Sequence, residues 1–200
     1  MERWVLLRKG ADFEAIGKKY QISPRLACLI RNRDVIGEEA IERYLNGTIS
    51  DLYDGMLMKD ADKAIDILKE KIAEEKKIRV IGDYDIDGVN ATYILLEGLE
   101  RLGAYVDSDI PDRIGDGYGL NRHLIDRAYD AGIDTIITCD NGIAAANEIA
   151  YGKELGMTII VTDHHEIPFD EIDGEKIYRL PPADAVIDPK QKDCVYPFKG

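Results

Sequence analysis

Cysteine and histidine are both scarce in this 200-residue chain, with three of each. Cys28, Cys139 and Cys194 are widely spaced, odd in number and never arranged as Cys-x-x-Cys. This pattern argues against a disulfide framework, which uses even and closely grouped sets of cysteines. It also argues against a zinc site built from thiolates. We predict reduced thiols and a cytoplasmic setting.

Long apolar runs are also missing from the sequence. No stretch approaches the roughly 20 apolar residues that a membrane-spanning helix requires. The first residues contain neither the apolar core nor the cleavage site of a signal peptide. The overall composition, 45% hydrophobic and 32% charged, is that of an ordinary globular domain. We therefore expect a folded domain with no membrane partner.

Positive charge is in deficit, because 26 Lys and Arg residues face 39 Asp and Glu residues and the formal net charge is −13. Taken alone, this balance argues against a nucleic-acid partner, since phosphate backbones attract basic surfaces. The objection weakens if the acids surround bound cations, because such acids no longer act as bare negative charge. What matters is therefore where the acidic residues lie.

The pattern divides the chain into a small helical leader, residues 1–55, and an α/β region, residues 56–200. In the leader, Ser23 and Pro24 are typical of a helix start. In the α/β region, short apolar strands alternate with helices. The strands are IRVIG, AYVDSDI, DTIITC, MTIIVT and DAVID, and the helices are residues 88–102, 121–131 and 143–155. This alternation predicts a doubly wound, mainly parallel sheet with helices on both faces.

Acidic residues and histidines follow three of these strands at the point where each strand ends. They are Asp83, Asp85 and Asp87 after IRVIG, Asp140 after DTIITC, and Asp163, His164 and His165 after MTIIVT. The carboxyl ends of parallel strands meet at one edge of a sheet, where ligands bind. Carboxylates gathered there repel one another unless divalent cations offset the repulsion. Oxygen ligands with one or two imidazoles favour Mn²⁺ or Mg²⁺, with zinc or iron left open.

A plainer interpretation exists for each aspartate alone, because an aspartate after a strand is often only the N-cap of the next helix. That interpretation accounts poorly for three such clusters together. The adjacent histidines add weight, since the chain has only one other, His123. His123 stands alone at a predicted helix start, and we interpret it as a surface or capping residue.

Two known motifs fit the first acidic cluster only in part. The run from Asp83 to Gly88 matches the D-x-D-x-D-G start of an EF-hand loop, but Ile94 stands where that loop requires a bidentate glutamate. A phosphatase of the haloacid-dehalogenase type would use Asp85 as nucleophile and Asp87 as helper. It would leave the sequence TDHHE without a purpose. Neither motif accounts for all three clusters.

Four motifs in the chain, taken together, resemble those of the DHH phosphoesterase superfamily. They are GDYDIDG, PDRIGDGYGL, TCDNGI and VTDHHE, in this order and at these spacings. Within the superfamily, the long form GDYDIDGV and the block IPDR…DGYGL look most like the RecJ-type group of single-strand-specific exonucleases. The resemblance covers essentially the whole chain, including ISPRLACLIRNR near its start and YPFKG at its end.

The resemblance implies a two-metal phosphodiesterase that hydrolyses single-stranded DNA from 5′ to 3′ in recombination and repair. Two metals can activate water and stabilise both the attacking and the leaving oxygen. The implied ligands of Mn²⁺ or Mg²⁺ are Asp83, Asp85, Asp87, Asp140 and His164, and the implied catalytic residues are His165 and Asp163. The implied substrate-binding residues are Arg113, Gly117, Tyr118, Gly119, Asn141 and Gly142. Single-stranded DNA is the implied partner, with single-strand-binding proteins or helicases as further ones.

Two alternatives to this function stay open. One keeps the chemistry but changes the substrate to short oligonucleotides or cyclic dinucleotides. The other is a non-catalytic scaffold with the same fold. Members of the resembled group also continue well beyond YPFKG, with a further metal-binding aspartate and a closing domain. We therefore expect this chain to be the N-terminal part of a longer enzyme, and to be weak or inactive alone.

Overall fold

The structure, a computed structural model, describes residues 9–112, 119–172 and 174–199. The chain forms two compact units, one ending at Leu52 and the other beginning at Tyr53. The prediction that residues 56–200 act as a catalytic domain stays a prediction. None of the helices in the described residues is long and apolar enough to cross a membrane.

The first unit is helical, as the sequence predicts. Its helices are α1 Phe13–Tyr20, α2 Pro24–Asn32 and α3 Glu38–Asn46, followed by a 3₁₀ turn at Ile49–Asp51. Helix α2 begins where expected: the Ser23 hydroxyl accepts a hydrogen bond from the Leu26 amide at 3.2 Å. This bond satisfies one of the amides that a helix start leaves without a partner.

The second unit is a layered α/β fold. Its helices are α4 Ala61–Ala73, α5 Ile86–Arg101, α6 Arg122–Asp130 and α7 Ala146–Glu154, after a 3₁₀ turn at Gly55–Leu57. Its strands are β1 Lys77–Ile81, β2 Tyr105–Asp109, β3 Thr135–Cys139, β4 Thr158–Thr162, β5 Phe169–Ile172, β6 Glu175–Tyr178 and β7 Ala185–Ile187. Five strands form a parallel sheet in the order β2-β1-β3-β4-β7, and β5 and β6 form an antiparallel pair.

The predicted fold class is confirmed, because every pairing in the large sheet is parallel and apolar clusters cover both of its faces. Neighbouring residues of one strand point to opposite faces. Thus Ile136 and Ile159 pack under α6 and α7, whereas Ile137 and Ile160 pack under α4 and α5. All four isoleucines are essentially inaccessible to water. A near-continuous apolar strand is what a sheet buried on both faces requires.

The strand order creates a crevice at the centre of the sheet. From β1 the chain crosses to β2 on one side, and it then returns to place β3 on the other side of β1. Connections that leave neighbouring strands in opposite directions open a gap beyond their carboxyl ends. The loops after β1 and β3, which carry Asp83 and Asp140, therefore border the same gap.

Candidate metal centre

Two groups of acidic and histidine side chains gather beyond β1, β3 and β4. In the first group, one ligand atom each from Asp83, Asp85 and Asp140 lies within 4.8 Å of the others. In the second group, the same holds for Asp140, His164 and His165. Asp140 belongs to both groups, so the arrangement offers two adjacent cation sites that share one carboxylate.

Asp83 provides the strongest local reason for a cation. Its side chain is completely buried. Neither of its carboxylate oxygens has a hydrogen-bond partner among the described residues. A buried carboxylate without partners is destabilising by several kcal/mol unless an opposite charge compensates it. The donor set of three carboxylates and two imidazoles suits a hard divalent cation such as Mn²⁺ or Mg²⁺.

Asp85 combines the plain N-cap role with a place in the site. Its Oδ1 atom accepts hydrogen bonds from the amides of Asp87 at 2.9 Å and Gly88 at 3.0 Å, which caps α5. These backbone bonds, with that of Gly88 foremost, lower the pKa of the Asp85 carboxyl. Burial raises the pKa of Asp140, and the charge of the neighbouring Asp85 acts in the same direction. When no cation is bound, the Asp140 carboxyl therefore binds a proton more readily than the Asp85 carboxyl.

Asp87 lies outside both groups. The alternation of aspartates predicts that Asp83, Asp85 and Asp87 share one side of an extended segment, and for Asp87 this is wrong. Helix α5 begins at Ile86, two residues earlier than expected, so Asp87 sits exposed in the first helical turn. Its assignment as a metal ligand stays a prediction that the described geometry does not favour.

Two glycines allow α5 to press directly on the loop that carries Asp83. A Cβ atom on Gly88 would lie 2.5 Å from the Asp83 carbonyl oxygen and 2.6 Å from its amide nitrogen. A Cβ atom on Gly82 would lie 1.9 Å from Oγ1 of Thr92. Both distances are well inside van der Waals contact. Glycine at these two positions is therefore what fixes Asp83 in its buried location.

The loop after β3 is held by Asp140 and Asn141. Asp140 has a left-handed backbone with φ near 60°, which aspartate tolerates better than most residues. The side-chain amide of Asn141 donates through Nδ2 to the carbonyls of Ile81 at 3.2 Å and Cys139 at 3.1 Å. It thereby ties the end of β1 to the end of β3, and so fixes the spacing between the Asp83 loop and Asp140. Asn141 is a predicted substrate-binding residue, and its amide nitrogen is engaged in this structural bridge.

Asp163 organises the two histidines. Its Oδ1 atom accepts from the His164 amide and from Nδ1 of His165, both at 2.7 Å, and its Oδ2 atom accepts from the Ile143 amide at 2.9 Å. Burial lowers the pKa of His165, but the hydrogen bond and charge of Asp163, with the charge of Asp140, raise it overall. His164 in turn places Nε2 2.8 Å from Oδ1 of Asp140. Asp163 therefore acts by positioning His165, with both of its oxygens already used.

A cavity of about 460 Å³ opens beside His165. Its lining includes Asp163 and three of the predicted substrate-binding residues, Gly119, Asn141 and Gly142. Gly142 has φ near 108°, and a Cβ atom there would lie 2.6 Å from Oγ1 of Thr138, so only glycine fits. The other three predicted substrate-binding residues, Arg113, Gly117 and Tyr118, lie outside the described residues.

Asp188 is a fourth buried aspartate at this edge, and it is not among the site residues predicted from the sequence. It follows β7 and is completely buried; Oδ1 accepts from the Lys190 amide at 2.7 Å, and Oδ2 has no partner among the described residues. Burial raises its pKa to about 6, and the neighbouring Asp163 charge acts in the same direction. The signal was present in the sequence: an aspartate follows β7 just as aspartates follow β1, β3 and β4.

Replacement of Asp188 by asparagine is expected to stabilise the metal-free chain at neutral pH. The folded state keeps this proton up to pH about 6 and the unfolded state releases it near 3.8, so the wild-type free energy of unfolding falls as pH rises between these values. The shift corresponds to at most about 3 kcal/mol at pH 7.5. Urea unfolding in EDTA should show that gain for Asp188→Asn at pH 7.5 and almost none at pH 4. An equal gain at both pH values would show that the Asp188 charge is not its cause.

The fold and the site together define an α/β metal-binding domain whose candidate ligands come from the carboxyl ends of neighbouring parallel strands. The chain belongs to the DHH family, because residues 77–195 match the family model described as "DHH family, N-terminal domain". The family predicted from the four motifs is confirmed.

Curated relatives and solved structures extend this similarity to RecJ proteins. The chain is 39% identical over 198 residues to the single-stranded-DNA-specific exonuclease RecJ of Bacillus subtilis, covering 98% of this chain and 24% of the relative. It is 32% identical over 201 residues to the RecJ of Escherichia coli, covering 100% of this chain and 33% of the relative. It thus spans a quarter to a third of these relatives.

Two RecJ crystal structures contain manganese. An exonuclease RecJ bound to manganese matches with a TM-score of 0.60 and 33% identity, over 71% of this chain and 34% of that one. RecJ from Thermus thermophilus in complex with Mn²⁺ matches with a TM-score of 0.61 and 26% identity, over 98% of this chain and 26% of that one. The predicted resemblance to the RecJ-type group is therefore confirmed.

Proposed function

We propose that the chain forms the metal-binding catalytic part of an enzyme that hydrolyses phosphodiester bonds in single-stranded DNA with Mn²⁺ or Mg²⁺. The similarity to RecJ exonucleases supports the substrate class. One structural observation supports the metal-dependent chemistry. Two ligand groups share Asp140, and Asp83, a member of the first group, is buried without a partner among the described residues. The 5′-to-3′ direction and a role in recombination and repair rest on the similarity alone.

Each residue of the site has a task in this proposal. Asp83, Asp85, Asp140 and His164 would hold the cations, which when bound supply an activated water and offset the negative charge of the phosphate. His165, predicted from the resemblance as a catalytic residue, lies in the second ligand group and would hold a cation as well. Asp163 orients the His165 ring through its Nδ1 atom. Asn141 keeps the ends of β1 and β3 at a fixed spacing. The cavity beside His165 would receive the nucleotide next to the scissile bond.

We further propose a cytoplasmic location and single-stranded DNA as the main partner, with single-strand-binding proteins or helicases as further partners by similarity. The three cysteines are all free thiols in the structure, which agrees with a reducing compartment. Cys139 is buried, and burial raises the pKa of its thiol. Its side chain therefore takes no part in the proposed chemistry.

A cleavage assay with the protein in excess over a labelled strand tests the proposed function. We expect slow, Mn²⁺-dependent release of nucleotides from single-stranded DNA, no release from a blunt duplex, and none in EDTA. The rate should be low because the chain spans only 24% to 33% of its curated relatives.

The same assay separates the two alternatives. Faster hydrolysis of a cyclic dinucleotide or a dinucleotide than of a long strand would favour a phosphodiesterase of short substrates. Absence of Mn²⁺ binding, together with absence of any metal-dependent cleavage when the protein is in excess, would contradict the catalytic proposal and favour a scaffold.

A further inference from the structure

A groove whose lining contains none of the candidate ligands lies between the β5–β6 pair and the segment after β7. It has a volume of about 580 Å³ and its lining includes Lys176, Tyr178, Lys190, Lys192 and Asp193. Every residue of β5 and β6 is exposed, so this pair contributes little to the core of the domain. Because the pair is neither buried nor part of the main sheet, packing of the core does not account for its presence.

The lining of the groove is basic, although the chain as a whole carries a net charge of −13. Lys176 and Lys192 are exposed, and no ion pair within the described ranges involves either of them. Lys176 places Nζ 4.1 Å from the centroid of the Phe169 ring, which holds the ammonium group in place without neutralising it. The acidic group Asp193 is already paired with Lys59 at 2.8 Å. The groove therefore presents positive charge that lacks a counterion among the described residues.

The groove also presents surfaces on which nucleobases can lie. Tyr178 is 50% exposed, and Ile177 and Leu180 are 49% and 43% exposed. Tyr178 packs edge to face against Phe169, with ring centroids 5.8 Å apart, which limits the freedom of the tyrosine ring. A basic groove with a fixed, accessible aromatic ring is the usual composition of a single-strand-binding surface, because unpaired bases can stack there.

The groove adjoins the cavity beside His165. Glu166 lines that cavity, and its Oε1 atom pairs with Nζ of Lys190, which lines the groove, at 3.0 Å. Glu166 is 88% exposed at its side chain and Lys190 only 23%. The glutamate can therefore move aside, whereas the lysine is fixed. A phosphate that replaced Glu166 at Lys190 would connect the two surfaces.

We infer that this groove binds the backbone of single-stranded DNA on the side of the strand that leads away from the metal centre. The inference rests on the proposed function for the substrate class. Lys176, Lys190 and Lys192 would contact successive phosphates, and Tyr178 would stack on a base. An acidic protein segment is the competing occupant, but it would not use the aromatic ring and the aliphatic side chains beside it.

Fluorescence anisotropy with a labelled oligothymidylate of about 12 nucleotides, within the usual site sizes of single-strand binders, tests the inference. Measurements in EDTA prevent cleavage. For Lys176→Gln/Lys192→Gln we expect the salt slope of log K to fall by about 1.4, because each phosphate contact contributes roughly 0.7 for single strands. The same relation gives a loss of about 25-fold in affinity at 0.1 M salt.

The matched control is Lys63→Gln/Lys69→Gln, which removes two exposed charges from α4 and should change neither value. Lys176→Arg/Lys192→Arg should keep most of the affinity, which distinguishes lost charge from a damaged hairpin. Equal binding by the groove variant and the wild type would overturn the inference, as would failure of the wild type to bind at low salt. Polyglutamate binding that falls while oligothymidylate binding does not would instead identify an acidic protein partner.

Failure of the groove and failure of the proposed function are separable. A dinucleotide has a single bridging phosphate, which the metal centre would occupy, so its hydrolysis should be unchanged in Lys176→Gln/Lys192→Gln. If metal-dependent cleavage occurs while strand binding is unaffected by the lysine variants, only the groove assignment is overturned. If binding depends on these lysines but no substrate is cleaved, the groove stands and the catalytic proposal does not.

Discussion

Replacement of Asp85 or His164 by alanine is expected to reduce Mn²⁺-dependent cleavage of single-stranded DNA by at least about 100-fold, the upper end of what is lost when only the residue behind a metal ligand is changed. Each variant disrupts one ligand group. Asp85 belongs to the group with Asp83 and Asp140, whereas His164 belongs to the group with Asp140 and His165. Asp140→Ala removes the residue common to both groups. Titration calorimetry with Mn²⁺ should therefore show one weakened site in each single-group variant, and two in Asp140→Ala.

The control for this experiment is Asp66→Ala, which removes an aspartate that is 80% exposed on α4 and forms a surface ion pair with Lys69. It should leave both cleavage and Mn²⁺ binding unchanged. Asp87→Ala decides a point on which sequence and structure differ: loss of a Mn²⁺ site would restore Asp87 as a ligand. Undiminished cleavage by either Asp85→Ala or His164→Ala would show that the ligand assignment is wrong.

Most of the α/β unit follows from features that are local in the sequence. Runs such as TIITC and TIIVT are apolar at every position that the buried centre of a parallel sheet requires, and all five predicted strands of the large sheet form. Parallel pairing then forces the residues after β1, β3 and β4 to one edge. The meeting of Asp83, Asp140 and His164 is thus a consequence of strand direction rather than of any contact visible in the sequence.

The β5–β6 pair could not be predicted, because it lacks the local apolar pattern of the strands in the large sheet. Its strands are four residues each, carry charged residues beside apolar ones, and are exposed throughout. With neither face buried, no alternation of apolar and polar residues is required, and periodicity carries no signal. The groove beside this pair depends on where the chain returns after β7, which is a property of the tertiary structure.

Asp87 and Asp188 show how a single residue can be misjudged at a strand end. The spacing Asp83-x-Asp85-x-Asp87 is typical of an extended segment, but Asp85 caps α5 and turns the chain into the helix at the next residue. Asp188 follows β7, a strand of only three residues at the edge of the sheet, so the aspartate after it is a weaker signal than those after the longer strands. Its complete burial is a property of the folded chain that no pattern around it indicates.

The acidic composition has a different meaning once these positions are known. Buried Asp83, Asp140, Asp163 and Asp188 concentrate negative charge at one edge of the sheet, while exposed lysines line the neighbouring groove. A net charge of −13 therefore does not describe the surface that single-stranded DNA would contact. Cations bound at the acidic edge would remove much of the remaining repulsion toward phosphate. The groove alone should therefore bind single-stranded DNA in EDTA, and bound cations should tighten that binding further.

Asp83→Asn is expected to have opposite effects on stability with and without metal. In EDTA, the variant should be more stable than the wild type by roughly 1–3 kcal/mol, because it removes a buried charge whose oxygens have no partner among the described residues. In saturating Mn²⁺ the order should reverse. A cation at about 1,000 times its Kd stabilises the wild type by about 4.1 kcal/mol, which exceeds that difference and corresponds to a rise in Tm of roughly 8–16 °C for a unit of this size.

Differential scanning fluorimetry in EDTA and in a Mn²⁺ series measures both effects on the same two proteins. Asp66→Asn is the matched control, because its carboxylate is exposed and should alter neither the EDTA value nor the Mn²⁺ shift. A merely structural Asp83 would make Asp83→Asn less stable in EDTA and leave the Mn²⁺ shift intact, and that result would remove the buried carboxylate from the metal centre. A gain in EDTA combined with a smaller Mn²⁺ shift, while the group Asp140, His164 and His165 stays intact, would support a cation that compensates the buried Asp83 charge.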